Sequence, residues 1–407
     1  MVVLMLNLAF RNLLRHKMRT GITLVAVAFG VAMLILSGGF VEDMLVQLRE
    51  STIHSQLGHM QIYKTGYFTY GRRNPFRYLI QDPAALEEKL AEMPHVVQVM
   101  SRLQFNGVLN NSRADLPVLG EGVEADKESK FDSAVRWVAG RALTDADAYG
   151  IVLGEGVAKA LQLKPGDFAT LITNTSDGAL NSLEFKIVGV FRTIGKDYDD
   201  HAVRITLPAA QEILFTKAVH SLVLLLDDTQ ATTEVAAAVK ARLPAKEYEV
   251  KIWSELADFY AKTVELYKRY FGVMRVIILV TVLLGVLNSI ILAVHERTGE
   301  FGTLMAMGNQ GMDLFRLILV ENCLLGFFGC AVGVALGVAL AEVVSAIGIP
   351  MPPPPNMSSG YTAHIRVVPS VMLMSVIIGY VATLAAALFA ARRVLRLPIV
   401  DALRYNF

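Results

Sequence analysis

Four runs of apolar residues dominate the hydropathy pattern, at 21–43, 272–294, 317–347 and 371–391. A helix rises about 1.5 Å per residue, so each run is long enough to cross about 30 Å of hydrocarbon. The third is long enough to tilt or to end in the interface. Residues 44–271, between the first and second runs, alternate instead like a water-soluble domain. Strands are predicted at 59–63, 96–108, 150–153, 168–173, 183–191, 204–207, 221–226 and 249–253. Helices are predicted at 155–161, from Pro208, and at 232–243. Turn composition marks Lys164-Pro165-Gly166-Asp167 and the polar stretch 174–181. The fold class expected is therefore a four-helix membrane protein with a large α+β domain, containing β-α-β units, inserted between helices 1 and 2. The first helix is expected to continue through Val41, Leu45 and Leu48 to Gly58. Ser254 is the expected N-cap of a helix running unbroken into the second span.

Composition agrees with this mixture. The 407 residues are 54% hydrophobic and 18% charged, with a formal net charge of +1, and mean hydropathy is +0.45. That is too apolar for an ordinary soluble protein and too charged for one lying wholly in a membrane. A balanced charge gives no field directed at nucleic acid. Arg11, Arg15, Lys17 and Arg19 precede the first span, Arg297 and Arg316 lie between spans two and three, and Arg392, Arg393, Arg396 and Arg404 follow the fourth. Positive flanks stay in the cytoplasm, which places both termini and the 295–316 loop there. Residues 44–271 and the short 348–370 loop then face the other side. The first span begins late and no A-x-A site follows it, so it is expected to be an uncleaved anchor. Residues 1–20 form a basic amphipathic helix in which Leu6, Phe10, Leu13 and Leu14 share a face, suited to a membrane surface.

Catalytic chemistry is not visible. The eight histidines are scattered without metal-ligand spacing, and neither a G-x-S-x-G elbow nor a phosphate loop ending in G-K-[ST] occurs. Asp197, Asp199, Asp200 and His201 read as a solvated loop of like charges rather than a cation site. No catalytic residue and no metal ligand is assigned. Cys323 and Cys330 lie seven residues apart in one helix, too far to bond, and read as small apolar fillers. Glu321 and Glu342 sit near the ends of the third span, where they are expected to anchor at the interface. Gly326, Gly329, Gly333 and Gly337 form a stripe of small residues suited to close helix packing.

The loop between spans two and three carries the most information. Thr298 is the expected cap of a short helix reaching Met307, with Gly308 as its stop. Phe301, Leu304 and Met305 fall at i, i+3 and i+4, giving an amphipathic element that suits a partner's groove or the membrane. Around it, Asn288-Ser289-Ile290, Glu296-Arg297-Thr298, Glu300-Phe301-Gly302 and Met305-Ala306-Met307-Gly308 resemble the permeases of ABC transporters of the MacB/LolC/LolE/FtsX type. So do Ala391-Arg392-Arg393 through Pro398 to Asp401-Ala402-Leu403-Arg404-Tyr405, the start from Leu8 to Arg15, and Gly58-His59-Met60-Gln61-Ile62, the last as in the lipoprotein-release branch. The likeness runs in order along nearly the whole chain.

The resemblance implies a bacterial inner-membrane permease whose periplasmic domain works by mechanotransmission. It implies a separate ABC ATPase subunit that binds ATP and Mg, a second permease copy or paralogue, membrane lipids, and a periplasmic carrier or adaptor. The chain itself holds no cofactor and is not expected to be an enzyme. Coupling to the ATPase is expected from Glu296, Arg297, Glu300, Phe301, Leu304, Met305 and Gly308, with Phe301, Leu304 and Met305 as the docking face. Gly299, Thr303 and Met305 depart from the family pattern, and its Arg before Ala306 is absent. Release of lipoproteins or related amphiphiles is the leading expectation. MacB-like efflux of peptides, toxins or drugs through an adaptor, and FtsX-like signalling to a cell-wall hydrolase, are the alternatives.

Overall fold

The computed structural model describes residues 2–15, 17–71, 74–131, 133–353 and 360–394. The predicted tail from Pro398 to Tyr405 lies outside the described residues. The chain divides into two compact units. The first comprises 1–45, 264–350 and 362–407, and the second 46–263 with 351–361.

The helical unit is built from α1 (Val2–Arg15), most of α2 (Lys17–Thr52), most of α10 (Asp258–Glu296), α11 (Thr298–Ala306), α12 (Gly311–Ile347) and α13 (Pro369–Val394). Among the described residues, four helices are long and apolar enough to cross a membrane. Their shared core joins Val27, Val31 and Ile35 of α2 to Val286 and Ile290 of α10, Ile318 and Cys330 of α12, and Ala386 and Ala390 of α13. The outward faces stay apolar, with Phe29, Val276, Phe327 and Phe389 exposed, as a lipid-facing surface requires. Phe10 and Leu14 of α1 are likewise exposed while Leu13 turns inward.

The mixed unit contains β1 (Met60–Lys64), α3 (Pro83–Ala91), β2 (Val96–Asn110), β3 (Asp115–Val123), α4 (Ala125–Phe131), β4 (Arg136–Gly140), β5 (Gly150–Gly154), α5 (Glu155–Ala160), β6 (Phe168–Asn174), β7 (Leu180–Arg192), α6 (Lys196–Asp199), β8 (Ala202–Thr206), α7 (Leu207–Ile213), β9 (Ser221–Leu226), α8 (Thr232–Arg242), β10 (Tyr248–Ile252) and α9 (Trp253–Leu256). Strands β2, β3, β8, β5, β7 and β6 pair in that order, and β6 returns to β2. This closes a six-stranded ring. The long strands β2 and β7 make closure feasible because each takes three partners. Inside the ring, Leu103, Leu109, Ile151, Leu171, Phe185 and Ile205 are fully buried. Closure leaves no free edge around the ring. Beyond β2 the sheet continues through β9, β1 and β10, covered by α3 and α8 on a second core of Met60, Ile62, Leu90, Leu224 and Val239.

Three local expectations are corrected. Strand β3 was not predicted because Pro117, Gly120 and Gly122 interrupt its apolar pattern. Gly120 is there because a side chain would overlap the ring of Phe105 on the neighbouring strand. The helix expected from Ser254 is instead two helices, α9 and α10, broken at Ala257, whose ψ is 62°. Asp199 is not solvated: it is buried and accepts bonds from the Thr193 amide at 3.0 Å and hydroxyl at 2.8 Å. Among the described residues no cluster of His, Cys, Asp and Glu could hold a metal ion.

Candidate functional site

A single residue, Arg297, separates α10 from α11, and its φ of −100° and ψ of 11° turn the chain out of the helix. Its guanidinium is buried and reaches 24 residues along the chain to Glu321 of α12, at 2.9 and 3.1 Å. The Nε atom also donates to Glu300 at 3.1 Å. Glu321 accepts a further bond from Asn12 of α1 at 2.6 Å, and Glu300 lies 3.7 Å from Arg15. Charges removed from water are expensive unless paired and hydrogen-bonded. This network therefore fixes α1, α11 and α12 together at one end of the bundle. Glu321 does not anchor at an interface as expected. It is only 6% exposed.

The proposed docking face also changes. Phe301 is 1% exposed and packs in the bundle core, with the Arg297 guanidinium 5.1 Å from its ring. Leu304 and Met305 are partly buried against the same core. The apolar spacing is thus the anchor of α11, not its outer face. Thr298 does not cap the helix; its hydroxyl bonds back to the Val294 carbonyl at 3.0 Å. The exposed surface is the following turn, where Met307 is 70% exposed and Gly308 ends the helix at φ 99°. The side chains of Gln310 and Asp313 then cap α12 reciprocally. Glu296 is exposed at the end of α10. Beside α11 lies a cleft of about 630 Å³ lined by Leu8, Asn12, Arg15, Glu300, Leu304 and Met307.

The glycine stripe of α12 lies against two neighbours. A methyl group on Gly329 would come 2.8 Å from Val27, and one on Gly333 would come 2.8 Å from the Ala28 carbonyl and from Val31. At Gly337 the nearest atoms belong to Ile35 and Ala32 of α2, whereas Gly326 faces Tyr380 and Thr383 of α13.

A second charged cluster lies in the mixed unit. After α2 the chain makes a wider π-helical turn, Ile53–Leu57, and stops at Gly58 with φ 68°. The last carbonyls of a helix carry partial negative charge and lack intrahelical donors. Arg102 of β2 donates to the Gln56 carbonyl and Arg204 of β8 to the Ser55 carbonyl, the latter at 2.8 Å. Arg102 also pairs with Glu128, and Arg204 lies 3.6 Å from Glu121. Both arginines are fully buried. Burial pushes the Glu121 carboxyl up, but Arg102, Arg204 and the Tyr198 hydroxyl outweigh it and hold the group below its ordinary range. Burial, with a smaller contribution from His54, lowers His59 to about 4. His59 accepts from the Leu226 amide and contacts Thr229, which donates to Glu50 of α2. Sequence inspection missed this cluster. Its only sequence trace is two arginines inside strongly apolar strands.

Four helices long and apolar enough to span a membrane, a large inserted β domain, and a short helix pinned between the second and third of them define a multi-pass membrane protein. Residues 20–242 match the MacB-like periplasmic core domain and residues 272–399 the FtsX-like permease C-terminal domain, and the chain belongs to this MacB-like, FtsX-like permease family. It is 24% identical over 352 residues to the lipoprotein-releasing system transmembrane protein LolC of Neisseria meningitidis, covering 82% of this chain and 81% of that one. It is 24% identical over 416 residues to the macrolide export ATP-binding/permease protein MacB of Hyphomonas neptunium, covering 98% of this chain and 60% of that one. An uncharacterized ABC transporter permease of Methanocaldococcus jannaschii is 25% identical over 232 residues, covering 55% of each chain. The chain thus spans little more than half the length of the last two relatives.

Proposed function

We propose that this chain is the permease subunit of an inner-membrane ABC transporter, coupling ATP hydrolysis by a separate ATPase to work in the periplasm. The observation that carries this reading is the locked bend at Arg297. A short helix joined to α10 by one residue, and ion-paired to α12 and α1, passes a push at its tip to three helices at once. The cleft beside it, with the exposed turn from Met307 to Gln310, offers the ATPase its docking surface. Helix α2 runs for 36 residues and α10 for 39, long enough to act as levers. Arg102 and Arg204 grip the end of the first lever. A second permease copy or a paralogue completes the transporter.

The substrate class best supported is lipoproteins or related amphiphiles extracted from the membrane. Alignment along four fifths of both this chain and a LolC favours it. Efflux through a periplasmic adaptor is the second reading, supported by the alignment of 98% of this chain to a MacB. The test is reconstitution in nanodiscs with the ATPase that copurifies. Met307→Asp is expected to abolish stimulation of ATP hydrolysis while the protein still inserts and binds lipid. Stimulation equal to wild type would sink the coupling assignment. Release of a labelled lipoprotein from proteoliposomes, compared with export of a labelled peptide, separates the two substrate readings.

A further inference from the structure

The β domain contains a cleft of about 420 Å³ that the coupling reading does not use. Its walls come from the ring strands β2, β3 and β6 and from the segment that follows β1. Phe105 lies on its floor over Gly120, and Tyr67 and Phe76 stand at its side. Among these rings are the amides of Gln104, Asn106 and Asn174 and the carboxylate of Glu121. His220, fully buried, completes the lining. Its Nδ1 accepts from the Gln104 amide at 3.1 Å, which leaves the proton on Nε2. That Nε2 has no hydrogen-bond partner among the described residues. A buried donor left unpaired costs about 1–3 kcal/mol, and the rings of Tyr67 and Phe76, 5.9 and 5.6 Å from the imidazole, cover it.

The chemistry of the cleft restricts its occupant. Arg102 and Arg204 are balanced by Glu121 and Glu128, and burial keeps His220 neutral, lowering it to about 4. Among the described residues that line it, no net charge remains to attract an ion. An acyl chain would suit the rings but would take the side-chain amides of Asn106 and Asn174 out of water without giving them partners. A ring with an apolar face and a rim of hydroxyls satisfies both, because hydroxyls donate to Glu121 and to the amide oxygens and accept from the amide nitrogens of Asn106 and Asn174. The volume lies within the roughly 300–1,000 Å³ of small-molecule sites. We propose that this cleft binds an uncharged, hydroxyl-bearing sugar ring, alone or as the terminal unit of a larger glycan. The site is independent of the coupling reading, since binding is measured without an ATPase.

The test uses the full chain in nanodiscs prepared without glycoside detergent. Saturation-transfer difference NMR is recorded with maltose, cellobiose and N,N′-diacetylchitobiose at millimolar concentration. Transfer to the ring protons of at least one sugar is expected. Phe76→Ala and Asn174→Ala, at half-buried and exposed positions, should each weaken it about tenfold, the equivalent of about 1.4 kcal/mol. An unchanged tryptophan-emission melt shows that the variants remain folded. Three results would overturn the proposal: no transfer to any of the three sugars, transfer that neither variant changes, or displacement of the bound sugar by octanoate.

Discussion

Replacing Arg102 by Met breaks the grip on the π-helical turn that follows α2 and leaves Glu128 buried beside a neutral side chain. Arg204 is the nearest remaining cation, 3.8 Å away, and the Gln56 carbonyl loses its donor. Removing one partner of a buried ion pair costs about 3–5 kcal/mol. In a domain of about 150–250 residues each kcal/mol moves the melting temperature by about 2–4 °C, so the expected fall is about 6–20 °C. Both tryptophans, Trp137 and Trp253, lie in the β domain. Their emission during heating therefore reports this unit even in the intact protein. The companion variant Arg102→Met with Glu128→Met restores charge balance with apolar groups, and should recover most of the loss. Arg269→Ala, which breaks only an exposed pair with Glu265, should cost about 1 kcal/mol or less. If Arg102→Met melts no lower than Arg269→Ala, or the double variant is as unstable as the single one, the buried pair does not hold the turn after α2.

Three further outcomes are expected. Phe301→Ala should destabilise the helix bundle by about 3–5 kcal/mol, measured as aggregation temperature by fluorescence-detected size exclusion, whereas Met307→Asp should leave it unchanged. Gly333→Ala should cost about 1–3 kcal/mol by overpacking against Ala28 and Val31, in the same assay, and Gly285→Ala, which meets nothing within 4 Å, serves as the control. His59 and His220 are held neutral in the folded state, each near 4 instead of the ordinary 6.5. The unfolded chain therefore binds more protons on acidification, and stability present above pH 6.5 is lost as pH falls toward 4, by about 3 kcal/mol for each group. Tryptophan melts at pH 7.5 and 4.5 check this, and a His59→Gln/His220→Gln variant should show a flatter profile.

Much of the architecture was legible locally. Strand β9 is predicted at its observed limits, Ser221–Leu226, because five consecutive apolar residues bounded by Ser221 and Asp227 leave little choice. The hairpin between β6 and β7 follows from its Asn, Ser, Asp and Gly turn, and Gly308 ends α11 where expected. What failed was the direction in which side chains face. The i, i+3, i+4 spacing of Phe301, Leu304 and Met305 correctly marked an apolar stripe, but spacing does not say whether such a stripe meets a partner or the chain's own core. The family likeness carried the same ambiguity, since it marks a segment and not its exposed side.

The amino-acid sequence by itself determined the four apolar spans, the inserted domain and most of its strands, because hydrophobic length and period are properties of neighbouring residues. Only the tertiary structure decided the ring closure through β6, the burial of Phe301 and the two charged clusters. Arg297 meets a residue 24 positions away, Arg102 a carbonyl 46 positions away, and Arg204 one 149 positions away. Whether a buried charge is tolerated depends on the partners that the fold brings to it, and nothing local in the sequence records which partners those are.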